Sequence, residues 1–139
     1  MFAVAKNRPH FIASEGTRLA REMFGVSGDA QELPSERDQN FCLCTKGGEK
    51  FVLKIASAAD SIEVLDLQNK AMAHIAAQAP SIHCPRVCPA LSGEQIVRAA
   101  GPGGRSHFVR MLTYIPGKFF AHVRPHSPEL LRSLGPERN

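Results

Sequence analysis

The hydrophobic period of this chain changes at Asp60, and that change most constrains what it can fold into. Upstream, apolar residues alternate in short runs bounded by turn residues, the pattern of half-buried strands. Residues 29–34, Gln39–Thr45 and Lys50–Ala56 read as three such strands, with Lys46-Gly47-Gly48-Glu49 as a hairpin turn between the last two. They predict a small antiparallel meander. Downstream, Leu65, Met72, Ile75 and Ala79 recur at helical spacing. Asp60 or Ser61 caps this helix, which runs to about Gln78 and is stopped by Pro80.

The flanks extend the pattern. Residues 1–10 are polar, contain Pro9 and are expected to be loosely ordered. Ser14 is placed to cap a helix over Glu15–Phe24, with Leu19, Ala20, Met23 and Phe24 as its apolar stripe and Gly25 as its stop. After the long helix, Cys84-Pro85-Arg86-Val87 starts an extended piece, and Glu94–Ala100 reads as a strand. Gly101–Gly104 is a turn, and His107–Tyr114 is a last strand halted at Ile115-Pro116-Gly117. Ser127-Pro128 resembles the start of another helix. The expectation is an α+β fold: a five-stranded antiparallel sheet, one major packed helix burying Leu65, Met72 and Ile75, and an N-terminal helix.

At 139 residues and 43% apolar, the chain is sized for one domain or one lobe of something larger. No apolar run approaches the roughly 18 residues of a membrane span, and the amino terminus lacks the pattern of a secretory signal. A cytoplasmic location is expected. Charge is uneven: ten of the thirteen acids lie between Glu15 and Asp66, whereas residues 67–128 hold seven bases and only Glu94 as an acid. That half can attract phosphate groups. Its bases are spaced singly rather than clustered, and the nine aromatic residues of the chain form no stacking motif, so nucleic acid is not the expected partner. Cys42 and Cys44 share one strand face, and Cys84 and Cys88 flank Pro85. Neither pair has zinc-knuckle spacing, so free, buried thiols are expected.

Four motifs occur in order: Leu33-Pro34-Ser35-Glu36-Arg37-Asp38-Gln39-Asn40-Phe41, Phe51-Val52-Leu53-Lys54-Ile55, Leu67-Gln68-Asn69, and Leu112-Thr113-Tyr114-Ile115-Pro116-Gly117. From about residue 10 to 135 the chain resembles the hydroxylysine kinase branch of the aminoglycoside phosphotransferase family, in its amino-terminal lobe. A similar lobe is found fused ahead of class III pyridoxal-phosphate aminotransferases. The resemblance implies a kinase-like amino lobe over residues 11–114, with 115–139 as hinge or linker and the start of a truncated carboxy lobe. It also implies GTP or ATP with Mg2+ as cofactor, and a small hydroxylated amine as acceptor.

Physical roles attach to particular positions. The turn Ser35–Gln39, including Asp38, lies where a hairpin would cover the phosphates and offer backbone N–H donors. Lys54 interrupts an apolar strand and either edges the sheet into solvent or points into a cleft; in the resembled kinases this lysine holds the α- and β-phosphates. Leu112-Thr113-Tyr114 would be the hinge whose backbone reads the purine edge. A glutamate from the following helix usually steadies the lysine, and here the pattern departs. Gln68 shares a face with Leu65, Met72 and Ile75, whereas Asp66 lies about 160° away at ~100° per residue. Glutamine can accept a hydrogen bond from Lys54 but adds no charge. The nucleotide-side candidates are therefore Ser35, Asp38, Gln39, Lys54, Gln68, Leu112 and Tyr114.

The carboxylates of phosphoryl transfer are missing. No H-x-D-x-x-x-x-N or D-x-D follows Tyr114, and no aspartate follows Asp66. Magnesium ligands and the acceptor base are expected only in a carboxy lobe, so the chain alone should be inactive. Two function classes follow: the nucleotide-side half of a small-molecule kinase, or a non-catalytic binding module such as a detached lobe of an aminotransferase fusion. An apolar floor near Phe108, Met111, Phe119 and Phe120 is expected to favour self-association.

Overall fold

A computed structural model describes residues 7–79, 81 and 83–116. Helix α1 spans Ala13–Phe24, and strands β1 (Gly28–Leu33), β2 (Gln39–Thr45) and β3 (Lys50–Ile55) follow. Helix α2 covers Ile62–Gln78, and β4 (Val87–Cys88), β5 (Val97–Ala100) and β6 (Ser106–Thr113) complete one antiparallel sheet. Its order is β1-β2-β3-β6-β4, with β5 also paired to β6. Among the described residues the sheet thus has six strands rather than five. The addition is β4, a two-residue strand within the extended piece after α2. β4 and β5 take successive stretches of the same β6 edge: Val87 and Cys88 face Leu112 and Met111, and Val97–Ala100 face Val109–Ser106.

The core lies between α1 and one face of the sheet. Phe41, Leu43, Leu53, Ile55, Val109 and Met111 meet Leu19, Ala20 and Phe24 of α1, with Phe11 beside them. α1 approaches closely because residue 16 is glycine: a Cβ there would lie 3.1 Å from the Phe41 ring. Gly25 ends the helix in the left-handed region, as expected of a C-terminal glycine. The start differs from expectation. Ile12, not Ser14, is the N-cap, and its backbone N–H donates to Glu15 Oε1 at 2.9 Å. The acid three residues on does the capping, and Ser14 falls inside the first turn.

α2 starts as expected, with Ser61 Oγ accepting from the Val64 N–H at 3.3 Å. Leu65 and Ile75 are buried, whereas Met72 is half-buried. Met111 is fully buried in the core and is no part of an exposed floor; Phe108 is half-buried. None of the four cysteines is in a disulfide, but only Cys42 is buried. Cys44 shares its face nearer the strand end and is exposed. The expectations for residues 1–6, Pro80, Phe119, Phe120, the segment from residue 117 and the helix at Ser127 lie outside the described residues. Among the described residues no helix is long and apolar enough to cross a membrane.

Candidate functional site

Three adjacent strands set one polar row on the sheet face opposite α1. Asn40 of β2 lies opposite Lys54 of β3, and Lys54 lies opposite Arg110 of β6. Strand alternation is the cause: Phe41, Leu53, Ile55, Val109 and Met111 take the core side, which turns their neighbours to the other. The Lys54 side chain is only 13% exposed, so it lies in a recess rather than along a solvated edge.

Lys54 Nζ donates to Asn40 Oδ1 at 3.1 Å and stands 3.5 Å from Asp38 Oδ2. Burial pushes the ammonium below the ordinary lysine value; Asp38 opposes that shift and Arg110 adds to it. Arg110 is more deeply enclosed, at 4% exposure. Its Nη1 donates to Asn69 Oδ1 at 2.9 Å and its Nη2 to Gln68 Oε1 at 2.8 Å. Burial draws this guanidinium down to about 10, with Asp38 and Asp60 opposing.

The charges do not balance. Asp38 is the acid beside Lys54, and Asp60 pairs with Arg37. Arg37 is raised above its ordinary value mainly by the hydrogen bond to Asp60. Around Arg110, α2 supplies two neutral amides rather than a carboxylate. One donor is also left over: Asn40 is fully buried, and among the described residues its Nδ2 has no hydrogen-bond partner. A buried amide N–H without an acceptor costs about 1–3 kcal/mol. An oxyanion in the recess would supply that acceptor together with the missing negative charge.

The turn before β2 is fastened to this site. Ser35 Oγ donates to the Asp38 carbonyl, Arg37 reaches Asp60 ahead of α2, and Asp38 reaches Lys54. Of the sequence candidates, Asp38, Lys54 and Gln68 therefore converge on one cluster, and Ser35 shapes the turn beside it. Gln68 faces inward as its helical position predicts, but it accepts from Arg110, not from Lys54.

Gln39 does not join them. Its Oε1 accepts from the Phe11 N–H at 2.8 Å and its Nε2 donates to the Phe11 carbonyl at 2.7 Å, on the core side of β2. There it ties the approach to α1 onto the sheet. Leu112 is buried beside Val52 in the next row of the Lys54 face. The Thr113 N–H donates to the Arg86 carbonyl at 2.9 Å and the Tyr114 N–H to the Lys50 carbonyl at 3.4 Å. Those two N–H groups are thus engaged within the lobe rather than presented to a purine. The Tyr114 ring carries the Lys50 ammonium 5.3 Å from its centroid.

Asn40, Asn69 and Arg110 were not legible as site residues. Arg110 did carry a signal, as the charge interrupting the apolar run Phe108–Leu112, just as Lys54 interrupts Phe51–Ile55. Among the described residues no three His, Cys, Asp or Glu side chains converge as metal ligands.

No protein-family model matches the chain. Its sequence is 29% identical over 136 residues to a hydroxylysine kinase of Danio rerio, covering 94% of this chain and 38% of that protein. It is 30% identical over 142 residues to a hydroxylysine kinase of Bos taurus, again covering 94% and 38%. Against a hydroxylysine kinase of Mus musculus the identity is 32% over 130 residues, covering 86% and 35%. The chain spans a little over a third of the length of these relatives. Among solved structures, a microcompartment-associated aminopropanol kinase superposes with TM-score 0.64 at 14% identity, covering 76% of this chain and 32% of that one. An amicoumacin kinase in complex with AMP-PNP, Ca2+ and Ami gives TM-score 0.62 at 13% identity, covering 78% and 32%. The antiparallel sheet with its two helices is the fold of a kinase-like amino lobe.

Proposed function

We infer, from a chain that carries the kinase-like amino lobe of the hydroxylysine kinase type, that it forms the nucleotide side of a small-molecule phosphotransferase. The reaction is transfer of the γ-phosphate of GTP or ATP to a hydroxyl of 5-hydroxylysine or a similar hydroxylated amine. The observation that carries this reading is the row of Asn40, Lys54 and Arg110, with a surplus of positive charge and an unused buried N–H. Phosphoryl transfer needs the triphosphate held and its charge offset. Lys54 would take the phosphate oxygens, and the turn Ser35–Asp38 would lie over them. Mg2+, when bound, would offset charge on the transferring group; its ligands and the acceptor base are assigned to a carboxy lobe.

The 139 residues alone are therefore proposed to bind nucleotide without turning it over. Positioned general-base help is worth about 100- to 10,000-fold, and the family's aspartates have no counterparts after Asp66. Calorimetric titration with GTP and with ATP, repeated on Lys54→Ala, tests the binding. Saturable binding lost in the variant supports the reading; equal affinity in both would make Lys54 purely structural. Incubation with 5-hydroxylysine, Mg2+ and radiolabelled GTP should give only the background rate. Turnover abolished by Lys54→Ala would refute the division of labour between lobes.

A further inference from the structure

Resting on that nucleotide reading, we propose that Arg110 is a positioning residue that sets the ligand charge this site selects. With Lys54 and the unpartnered Nδ2 of Asn40, it makes a polyphosphate subsite that works without a divalent cation.

Three independent features support this. Lys54 and Arg110 are direct cross-strand partners, so both positive charges act on the same small volume. The helix partner of this pair is neutral: Gln68 and Asn69 satisfy the guanidinium through amide oxygens and leave its charge uncancelled. The third feature is Asn40. Its Oδ1 is fixed by Lys54 Nζ, which holds the amide in one orientation and leaves the fully buried Nδ2 as a donor beside the same ammonium.

Asp38 is the anion that a ligand would meet first. Its side chain is 30% exposed, and its 3.5 Å approach to Lys54 Nζ exceeds the roughly 2.7–2.9 Å of a charge-assisted hydrogen bond. A phosphate oxygen on Lys54 and Asn40 would displace this carboxylate or share the ammonium with it. Arg110 lies too deep to be the first contact and acts through its field. Each further negative charge on the ligand should add roughly tenfold in affinity while both cations remain.

The test measures binding of orthophosphate, pyrophosphate and tripolyphosphate to the 139-residue chain in EDTA at low ionic strength. Affinity should climb along the series. Lys54→Met should remove binding of all three ligands. Arg110→Met should flatten the series, and Arg110→Lys, which keeps the charge but not the fork to Asn69 and Gln68, should retain most of it. A structural role alone would make the Lys variant fail with the Met variant. Asp38→Asn, on the partly exposed turn, should tighten tripolyphosphate binding roughly tenfold by removing the competing anion.

A flat series in the wild type, or an unchanged slope in Arg110→Met, would overturn the assignment to Arg110. If Arg110→Met does not fold, weaker tripolyphosphate binding by Asp38→Asn overturns it instead. Either result, obtained alongside Lys54-dependent ATP or GTP binding, leaves the nucleotide reading standing. Absence of nucleotide binding, with tripolyphosphate binding indifferent to Lys54→Met, brings down both.

Discussion

Lys54 and Arg110 stand directly opposite each other across the β3–β6 ladder, two cations on one sheet face with Asp38 as the acid beside the lysine. Like charges at directly opposed antiparallel positions are destabilising. The fold tolerates the pair by two means: the side-chain amides of α2 satisfy the guanidinium, and Asn40 accepts from the ammonium. Neither removes charge. What remains is a largely enclosed, positively charged row next to the turn at Ser35–Asp38.

Lys54→Met should separate stability from binding. Removing a desolvated cation relieves repulsion from Arg110, while Asn40 Oδ1 loses its donor. These effects oppose, so unfolding free energy should stay within about 1 kcal/mol of wild type. Nucleotide affinity should fall by at least about tenfold, since a buried charged contact is worth more than 1.4 kcal/mol. Urea unfolding and calorimetry on the same preparation check this. A loss of stability above about 3 kcal/mol would mean that the lysine holds the fold.

Gln68→Glu would install a carboxylate where Gln68 Oε1 now sits 2.8 Å from Arg110 Nη2. The bond already has a charged donor; the carboxylate adds the opposite charge and pairs a desolvated cation, so stability should rise by about 1 kcal/mol. The new charge would also cancel part of the positive field, and tripolyphosphate affinity should drop roughly tenfold. Denaturation midpoint and binding constant should therefore move in opposite directions. Tighter binding of the anion by this variant would contradict the electrostatic account.

Gly16→Ala should destabilise the chain, against the usual benefit of alanine over glycine in a helix, about 1 kcal/mol. The added Cβ would lie 3.1 Å from two atoms of the Phe41 ring. Phe41 is fully buried among the core side chains, so its ring can give way only by displacing them. Overpacking costs about 1–3 kcal/mol, so a net loss of roughly 1 kcal/mol is expected. Thermal melting reads it out, and a higher midpoint would show that α1 can lift off the sheet freely.

Anion binding should weaken with rising pH before an ordinary lysine would lose its charge. The folded Lys54 value lies below 10.5, first through burial and also through Arg110, with Asp38 opposing; Asn40 faces it without charge. The protonated form binds, so tripolyphosphate affinity should begin to fall below that value. Arg110→Met should shift the fall to higher pH. Stability moves the other way: between the folded Lys54 value and 10.5 the unfolded chain holds more protons, so this group favours folding increasingly as pH rises through that window. Arg110, drawn down to about 10 in the folded chain, contributes likewise as pH rises above that value. Affinity measured from about pH 8 to 11 checks the first claim; a fall starting only above 10.5 would refute it.

Local pattern carried much of this protein. Alternation in Phe51–Ile55 was enough to turn Lys54 away from Leu53 and Ile55, because side-chain direction along a strand depends on nothing beyond the strand. Helical phase likewise turned Gln68 inward, and a glycine after Phe24 ended α1. β4 escaped because two residues carry no period; it exists because Val87 and Cys88 find the free edge of β6.

What only the tertiary structure decided was which inward-facing groups meet. Register places Arg110, not a neutral neighbour, opposite Lys54, and strand pairing between distant segments is not written in either segment alone. That choice redirected Gln68 and Asn69 to the guanidinium and left Asp38 to the lysine. Gln39 went to the Phe11 backbone because a buried peptide next to α1 needed both a donor and an acceptor. Direction is a property of the local backbone and can be read from spacing. Partnership depends on the competition among all buried polar groups for acceptors and charge, and that is resolved only when the sheet closes.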